Sequence, residues 1–369
     1  MQDKKLAGEE AVFTGMEENA LVWEQMGMDA VADDFERLFP SFSFDAEGVF
    51  ADIMSGQLTE ALKKLGGGLT DAVLFQREEF RTLFFTILIL GVAAALFSNF
   101  ADLFRDHQVS DLAFYFVYLL LIAVLIRFFS DTAELVREML NNVSLFMKLY
   151  LPTYIVAVGS ASGALSATAY YQLLLFAVYL IEWGYLTILL PLVYGYVLLV
   201  AINGIWMEEK LALLLELLEK VIKGSVKASV WLTTGFSLLQ SMVSPVIDSL
   251  EFSAVKKALS SMPGLGGLTE GMFEMVIGSA VLVKNSIGLY MTLVLIVLCI
   301  VPLIKIALVS GVIKLSAALV GIVSDKRLTN CVSRVGEGNL MLLRIALTSV
   351  GMFMIQVAVI SYSAGQAVR

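Results

Sequence analysis

Seven polar side chains fall where chemistry inside a membrane would need them. Lys148, Glu182, Lys284, Asn285, Lys305, Lys314 and Arg344 lie within or at the edges of long apolar runs. A charge at the bilayer centre costs at least ~2.5 kcal/mol on insertion scales, so such groups face a cavity, a partner or the interface. Glu182, Lys305 and Arg344 are expected to snorkel to the interface. Lys284 and Asn285 are harder to dismiss. They follow Gly278-Ser279-Ala280 and precede Ser286-Ile287-Gly288, and small residues allow close helix approach and non-helical backbone. A buried structural role or a pore-lining one is expected for this pair, with shallow snorkelling of Lys284 as the bland alternative.

Two prolines form a second candidate site. Pro191 and Pro302 are 111 residues apart, in the matching settings Leu190-Pro191-Leu192-Val193 and Val301-Pro302-Leu303-Ile304. Pro152 and Pro263 keep the same offset, as do Tyr179 and Tyr290. An internal duplication would give each half a proline-broken helix, which frees backbone groups to line a cavity. The plain alternative is two packing kinks. Third, the small-residue run around Gly159, Ser160, Ser162 and Gly163 reads as a close-packing seam, or as a tight turn between two helices.

Other chemistry has little to work with. The one histidine, His107, cannot make a His-based metal site alone and reads as a solvated loop residue. Cys299 sits in an apolar run and Cys331 in a polar stretch read as a loop, with no CxxC, so neither a disulfide framework nor zinc is indicated. There is no GxSxG, HExxH or Gly-Lys-Ser/Thr phosphate loop, and no basic, aromatic-interleaved patch for nucleic acid. No catalytic, cofactor-binding or metal-binding residue is assigned, and a non-enzymatic protein is expected.

The elements that must position these residues are membrane helices. The chain is 58% hydrophobic and only 16% charged, against roughly a quarter charged in a soluble domain. Apolar segments lie at about 82–100, 112–129, 143–159, 167–183, 185–206, 225–247, 275–304, 306–323 and 339–361. Each approaches the ~20 residues that span a bilayer, and the runs are continuous rather than alternating as in a β-barrel. The expected fold is therefore all-α, a polytopic transmembrane helical bundle of seven to nine membrane helices. Lys284-Asn285 interrupts the long 275–304 stretch, which suggests a short re-entrant element before a full helix.

Charge divides the chain into two domains. Residues 1–81 carry 7 Lys/Arg and 17 Asp/Glu, a net of −10, whereas 82–369 carry 18 and 17, a net of +1. The acidic head holds two predicted amphipathic helices, at 15–39 and 46–65, separated by Pro40 and closed by Gly66-Gly67-Gly68. Its apolar stripe is too small for a core of its own, so it should rest on a partner or the membrane surface. No cleavable signal peptide is visible. Met207–Lys223 is a further amphipathic segment, either lying in the interface or simply connecting two spans. Positive charge at both 207–227 and 325–334 leaves the orientation open.

Three stretches resemble the stage III sporulation protein AE family of endospore-forming bacteria. They are Leu96-Phe97-Ser98-Asn99-Phe100 leading into Val109–Ile122, the small run Ser160–Ala167, and Ser279-Ala280-Val281-Leu282-Val283-Lys284-Asn285-Ser286-Ile287-Gly288. The resemblance covers the membrane body and, more loosely, the head. It implies a component of the transenvelope channel between mother cell and forespore, in the mother-cell membrane around the forespore. It also implies partners: ring-forming proteins of the same complex and a cytoplasmic ATPase. By analogy with family members that begin with a signal peptide, the head is expected outside the cytoplasm. The family supplies no catalytic residues. The expected function is therefore, by this resemblance, that of a channel component and its permease-like element, with a stand-alone secondary transporter and a non-transporting anchor for ring proteins as alternatives; a homo-oligomer is compatible with each.

Overall fold

A backbone inside hydrocarbon has no water to bond, so a chain this apolar must satisfy its N–H and C=O groups within helices. The computed structural model describes residues 46–57, 59–61, 63–64, 77–101, 107–162, 165–205, 210–260 and 268–366, with helical backbone alone over 46–47, 97–101, 107–111, 149–162, 165–174, 237–260, 268–287 and 358–366 and at 54, 77, 79, 113, 291, 297 and 298. Every regular element among them is helical. In chain order these are α1 (Ala46–Met54), α2 (Arg77–Ala101), α3 (His107–Ser162), α4 (Leu165–Gly184), a π-helical turn (Tyr185–Leu189), α5 (Leu190–Asn203), α6 (Ala212–Ser260), α7 (Leu268–Val320) and α8 (Lys326–Gln366).

Among the described residues the helices are longer and fewer than the apolar segments suggest. The 112–129 and 143–159 segments share α3, whose 56 residues rise about 84 Å. Residues 131–142 between them are polar but keep the backbone hydrogen-bond ladder. The 275–304 and 306–323 segments likewise share α7, which runs through Lys284-Asn285 as continuous helical backbone rather than as a re-entrant break. The 167–183 and 185–206 segments meet at the π turn without a loop. Four stretches among the described residues are long and apolar enough to cross a membrane: Phe114–Lys148, Leu175–Asn203, Gly288–Val320 and Lys326–Val357, with Phe80–Leu96 a shorter apolar helix.

The described part of Met207–Lys223 is not a separate helix. From Ala212 onward it forms the first turns of α6, with Leu215 and Ile222 buried and Glu216 and Lys220 exposed on the opposite side. Cys331 lies buried on α8 rather than in a loop, and His107 opens α3. The connection Gly321–Asp325 is too short to let α7 and α8 separate, so they pack as an antiparallel hairpin, the most extensive helix pair in the structure. Asp325 starts α8 by accepting the Arg327 N–H at 2.9 Å on its carboxylate.

The described end of the acidic head rests on the membrane body itself. Val49, Phe50 and Ile53 of α1 are buried, and the Phe50 ring meets Tyr290 of α7 edge-on, centroids 5.5 Å apart. The predicted 46–65 helix breaks at Ser55-Gly56, where Gly56 takes φ 77°, a value that a side chain would strain. Helical backbone resumes at 59–61 and 63–64, and Lys64 reaches back to Asp52 at 2.7 Å. The helix expected at 15–39 and the glycine stop at 66–68 lie outside the described residues.

Candidate functional site: two carboxylates among apolar helices

Two acids of the membrane body are held in different ways. Glu182 sits in the last turn of α4 and is 1% exposed. Pro191 sets the local backbone. Its ring lacks an N–H and crowds the carbonyl four residues back. The helix responds with one wide turn: the Leu190 N–H bonds the Tyr185 carbonyl, and Tyr185 and Leu189 stay buried. Such π turns concentrate at functional sites.

Three helices close around Glu182. Ser349 of α8 donates a short hydrogen bond to Oε1, and Ser144 of α3 donates to Oε2 at 3.5 Å. Among the described residues no lysine or arginine pairs with this carboxyl. One turn on, Tyr185 bonds Ser229 of α6. Ser229 spends its own proton on the Val226 carbonyl at 2.7 Å, so Tyr185 is the donor. Thr233 continues this hydroxyl group by donating to the Ser229 carbonyl at 2.9 Å. Beside Ser144 lies a cavity of about 360 Å³, lined by Ser144, Met147, Lys148, Leu175, Phe176 and Tyr179. The Lys148 ammonium stands 4.5 Å over the Tyr179 ring at its wall, a cation–π contact.

Glu337 of α8 is the opposite case. Lys223 of α6 reaches it at 2.7 Å, Lys314 of α7 at 3.2 Å and Arg344 of α8 at 3.7 Å. Lys223 also pairs with Glu219. Flanking glycines make the approach possible. A Cβ on Gly336 would lie 3.1 Å from the Lys314 stem, and one on Gly338 only 2.6 Å from a Val197 methyl of α5. One carboxylate thus ties α6, α7 and α8 together, with α5 drawn against the same turn.

A third polar place is a cavity of about 500 Å³ between α2, α3 and α7, lined in part by Glu78, Arg127, Asp131, Thr132 and Lys305. Of the polar middle of α3, Asp131 and Thr132 line this cavity, while Glu134, Arg137 and Glu138 are exposed on an unbroken helix. Outside the spans, burial works against the charge of Asp325, but the backbone amide and guanidinium of Arg327 outweigh it and hold the carboxyl below the usual carboxylate range.

The sequence-predicted residues fare differently. Glu182 does not snorkel; it is enclosed. Arg344 and Lys314 converge on Glu337, and Lys305 lines the charged cavity. Pro191 adjoins the π turn, whereas α7 continues as an α-helix on both sides of Pro302, so the two prolines sit in different helical settings. The side chains of Lys284, Asn285, Ser160 and Ser162 lie outside the described residues, Gly159 is described as helical backbone only, and Gly163 is outside them altogether. Sequence reasoning gave Glu337 and Lys223 no role as partners. The Gly-Glu-Gly step at 336–338 in an apolar helix was the available signal. For Glu182 it was isolation, since no other Asp, Glu, Lys or Arg occurs between Lys148 and Glu208. Among the described residues, no group of three His, Cys, Asp or Glu side chains could hold a metal ion.

Comparison with known proteins adds a family to this geometry. The family model for stage III sporulation protein AE matches residues 44–364. A curated relative, stage III sporulation protein AE of Bacillus subtilis (strain 168), is 23% identical over 235 residues, covering 63% of this chain and 59% of the relative. No solved structure matches.

Proposed function

The chain belongs to the stage III sporulation protein AE family, and from that premise we propose that it is the permease-like membrane component of the channel between mother cell and forespore. It sits in the mother-cell membrane around the forespore and works without catalysis of its own. Its partners are the bilayer, ring-forming proteins of the same complex and a cytoplasmic ATPase.

The observation that carries this is the polar content of α8 inside an apolar bundle. Asn339, Ser349 and Gln356 are fully buried on it, and Ser349 bonds the enclosed carboxyl of Glu182. Intramembrane polar groups are costly, and they mark pathways or moving contacts rather than inert anchoring. A passive anchor needs only an apolar surface.

The test separates transport from assembly. Glu182→Leu and Gln356→Leu variants are expected to reach the membrane at parental levels and to co-purify with the ring proteins while spore development stops after engulfment. Normal sporulation by both variants would favour the anchor reading. A stand-alone secondary transporter is favoured by one feature, the carboxyl of Glu182 without a cationic partner among the described residues. It predicts the protein in vegetative membranes, whereas a channel component accumulates only once engulfment has begun.

A further inference from the structure

We propose that Glu182 is a reversible proton-binding site: its carboxyl takes up and releases H⁺ inside the helix bundle, with Ser144 and Ser349 serving both forms. The inference deepens the permease reading by naming an ion that could drive it, and it rests on that reading only for what the proton is used for.

Four features point the same way. The carboxyl is enclosed, at 1% exposure, where an ion without a countercharge is expensive. Structural acids in such places are neutralised by cations, as Glu337 is by Lys223, Lys314 and Arg344. Glu182 instead meets two hydroxyls, from Ser144 and Ser349. A hydroxyl is the one partner that suits both states, because it donates to a carboxylate and, once rotated, accepts from a carboxylic acid. Finally, the cavity beside Ser144 brings open space to within one side chain of Oε2.

The groups around the site leave the proton to Glu182. From α3 come Ser144 and, at the cavity wall, Lys148, which is held over Tyr179. The π turn contributes Tyr185, whose proton is committed to Ser229 of α6. From α7 comes the buried thiol of Cys299, and from α8 Ser349. Arg344, the nearest base along α8, is turned to Glu337. Proton uptake forms one O–H bond on Glu182, with the proton supplied by hydrated H⁺ that enters past Ser144. Release returns it to water and restores the carboxylate. No redox partner is needed.

The step can be read directly by infrared spectroscopy of the full chain in lipid nanodiscs. A protonated-carboxyl C=O band should appear as pH falls, follow a single-proton curve, and be missing from Glu182→Gln. Ser349→Ala removes a donor to the charged form and should move the midpoint up by about one pH unit. Should Glu182→Gln fail to assemble, that shift carries the test, because a band indifferent to Ser349→Ala belongs to another group and overturns the assignment. A band absent at every pH, or present at every pH, also overturns it: the acid is then fixed in one state. Loss of the band on exchanging K⁺ for Na⁺ at constant pH overturns it in favour of a metal cation. None of these outcomes depends on transport, so a titrating Glu182 in a protein that proves to be an anchor would sink the permease reading alone.

Discussion

Glu337 and Glu182 face the same apolar surroundings and are accommodated in opposite ways. Glu337 is surrounded by three cations from three helices, and its neighbours are glycines that let those helices close in. Glu182 is more deeply enclosed and, among the described residues, meets hydroxyls only. An acid with several fixed countercharges is a staple: removing it strands the cations. An acid that meets only hydroxyls can change its charge without stranding anything. The contrast separates what holds this bundle together from what can respond within it.

The largest break in that contrast comes from the staple. Glu337→Ala should destabilise the protein by on the order of 3 kcal/mol, the low end for a buried pair because Lys223 and Lys314 stay about a third exposed. Thermal unfolding in detergent is the measurement. A parental transition would mean that the three cations find other partners and that the staple is incidental. Next comes the packing that admits it. Gly338→Val forces a side chain onto Val197 and should cost about 1–3 kcal/mol as overpacking. A Gly338→Val variant as stable as the parent would mean that α5 can move away from α8 at no cost.

A carboxylate outside the spans supplies the ordinary scale. Asp325→Ala removes the start of α8 and should cost about 1 kcal/mol. The Asp325 carboxyl lies below the usual range in the folded protein, so its contribution is present above the ordinary carboxylate pKa and fades as pH falls through the folded value. The stability gap between parent and Asp325→Ala should therefore shrink on acidification; a gap constant across the acid range would refute the depressed pKa. The smallest effect is expected from Glu182→Gln. Its amide still bonds both serines, so stability should change by less than about 1 kcal/mol. A loss as large as that of Glu337→Ala would make Glu182 a staple too, and erase the distinction.

How far the sequence foresaw this depends on what each feature requires. Helical class and the apolar segments follow from composition and run length, which are local. Helix number does not. Asp131, Glu134 and Arg137 read as an interruption of α3, yet a helix passes charged turns without losing a backbone bond, provided other elements or water receive them. Glu182 near the end of an apolar run looked able to reach the interface. The π turn joins that run to the next, so the expected end is an interior. Arg344 and Lys314 were visible as anomalies. Their convergence on Glu337 needed the register of three helices, which no single stretch contains.

The order of the chain gives α8 a temporal role. Glu182 is made on α4 and Lys223 on α6, but Ser349 and Glu337 both arrive with α8, after all of them. Until the α7–α8 hairpin docks, the carboxyl lacks its closest hydroxyl and the lysine its cross-helix acid. Each polar group left alone among lipid tails holds the half-built body in a costly, loosely packed condition. Closure of both sites in one docking event makes maturation all-or-none. A chain halted before α8 would stay open, marked for removal by the same groups that later serve the finished protein.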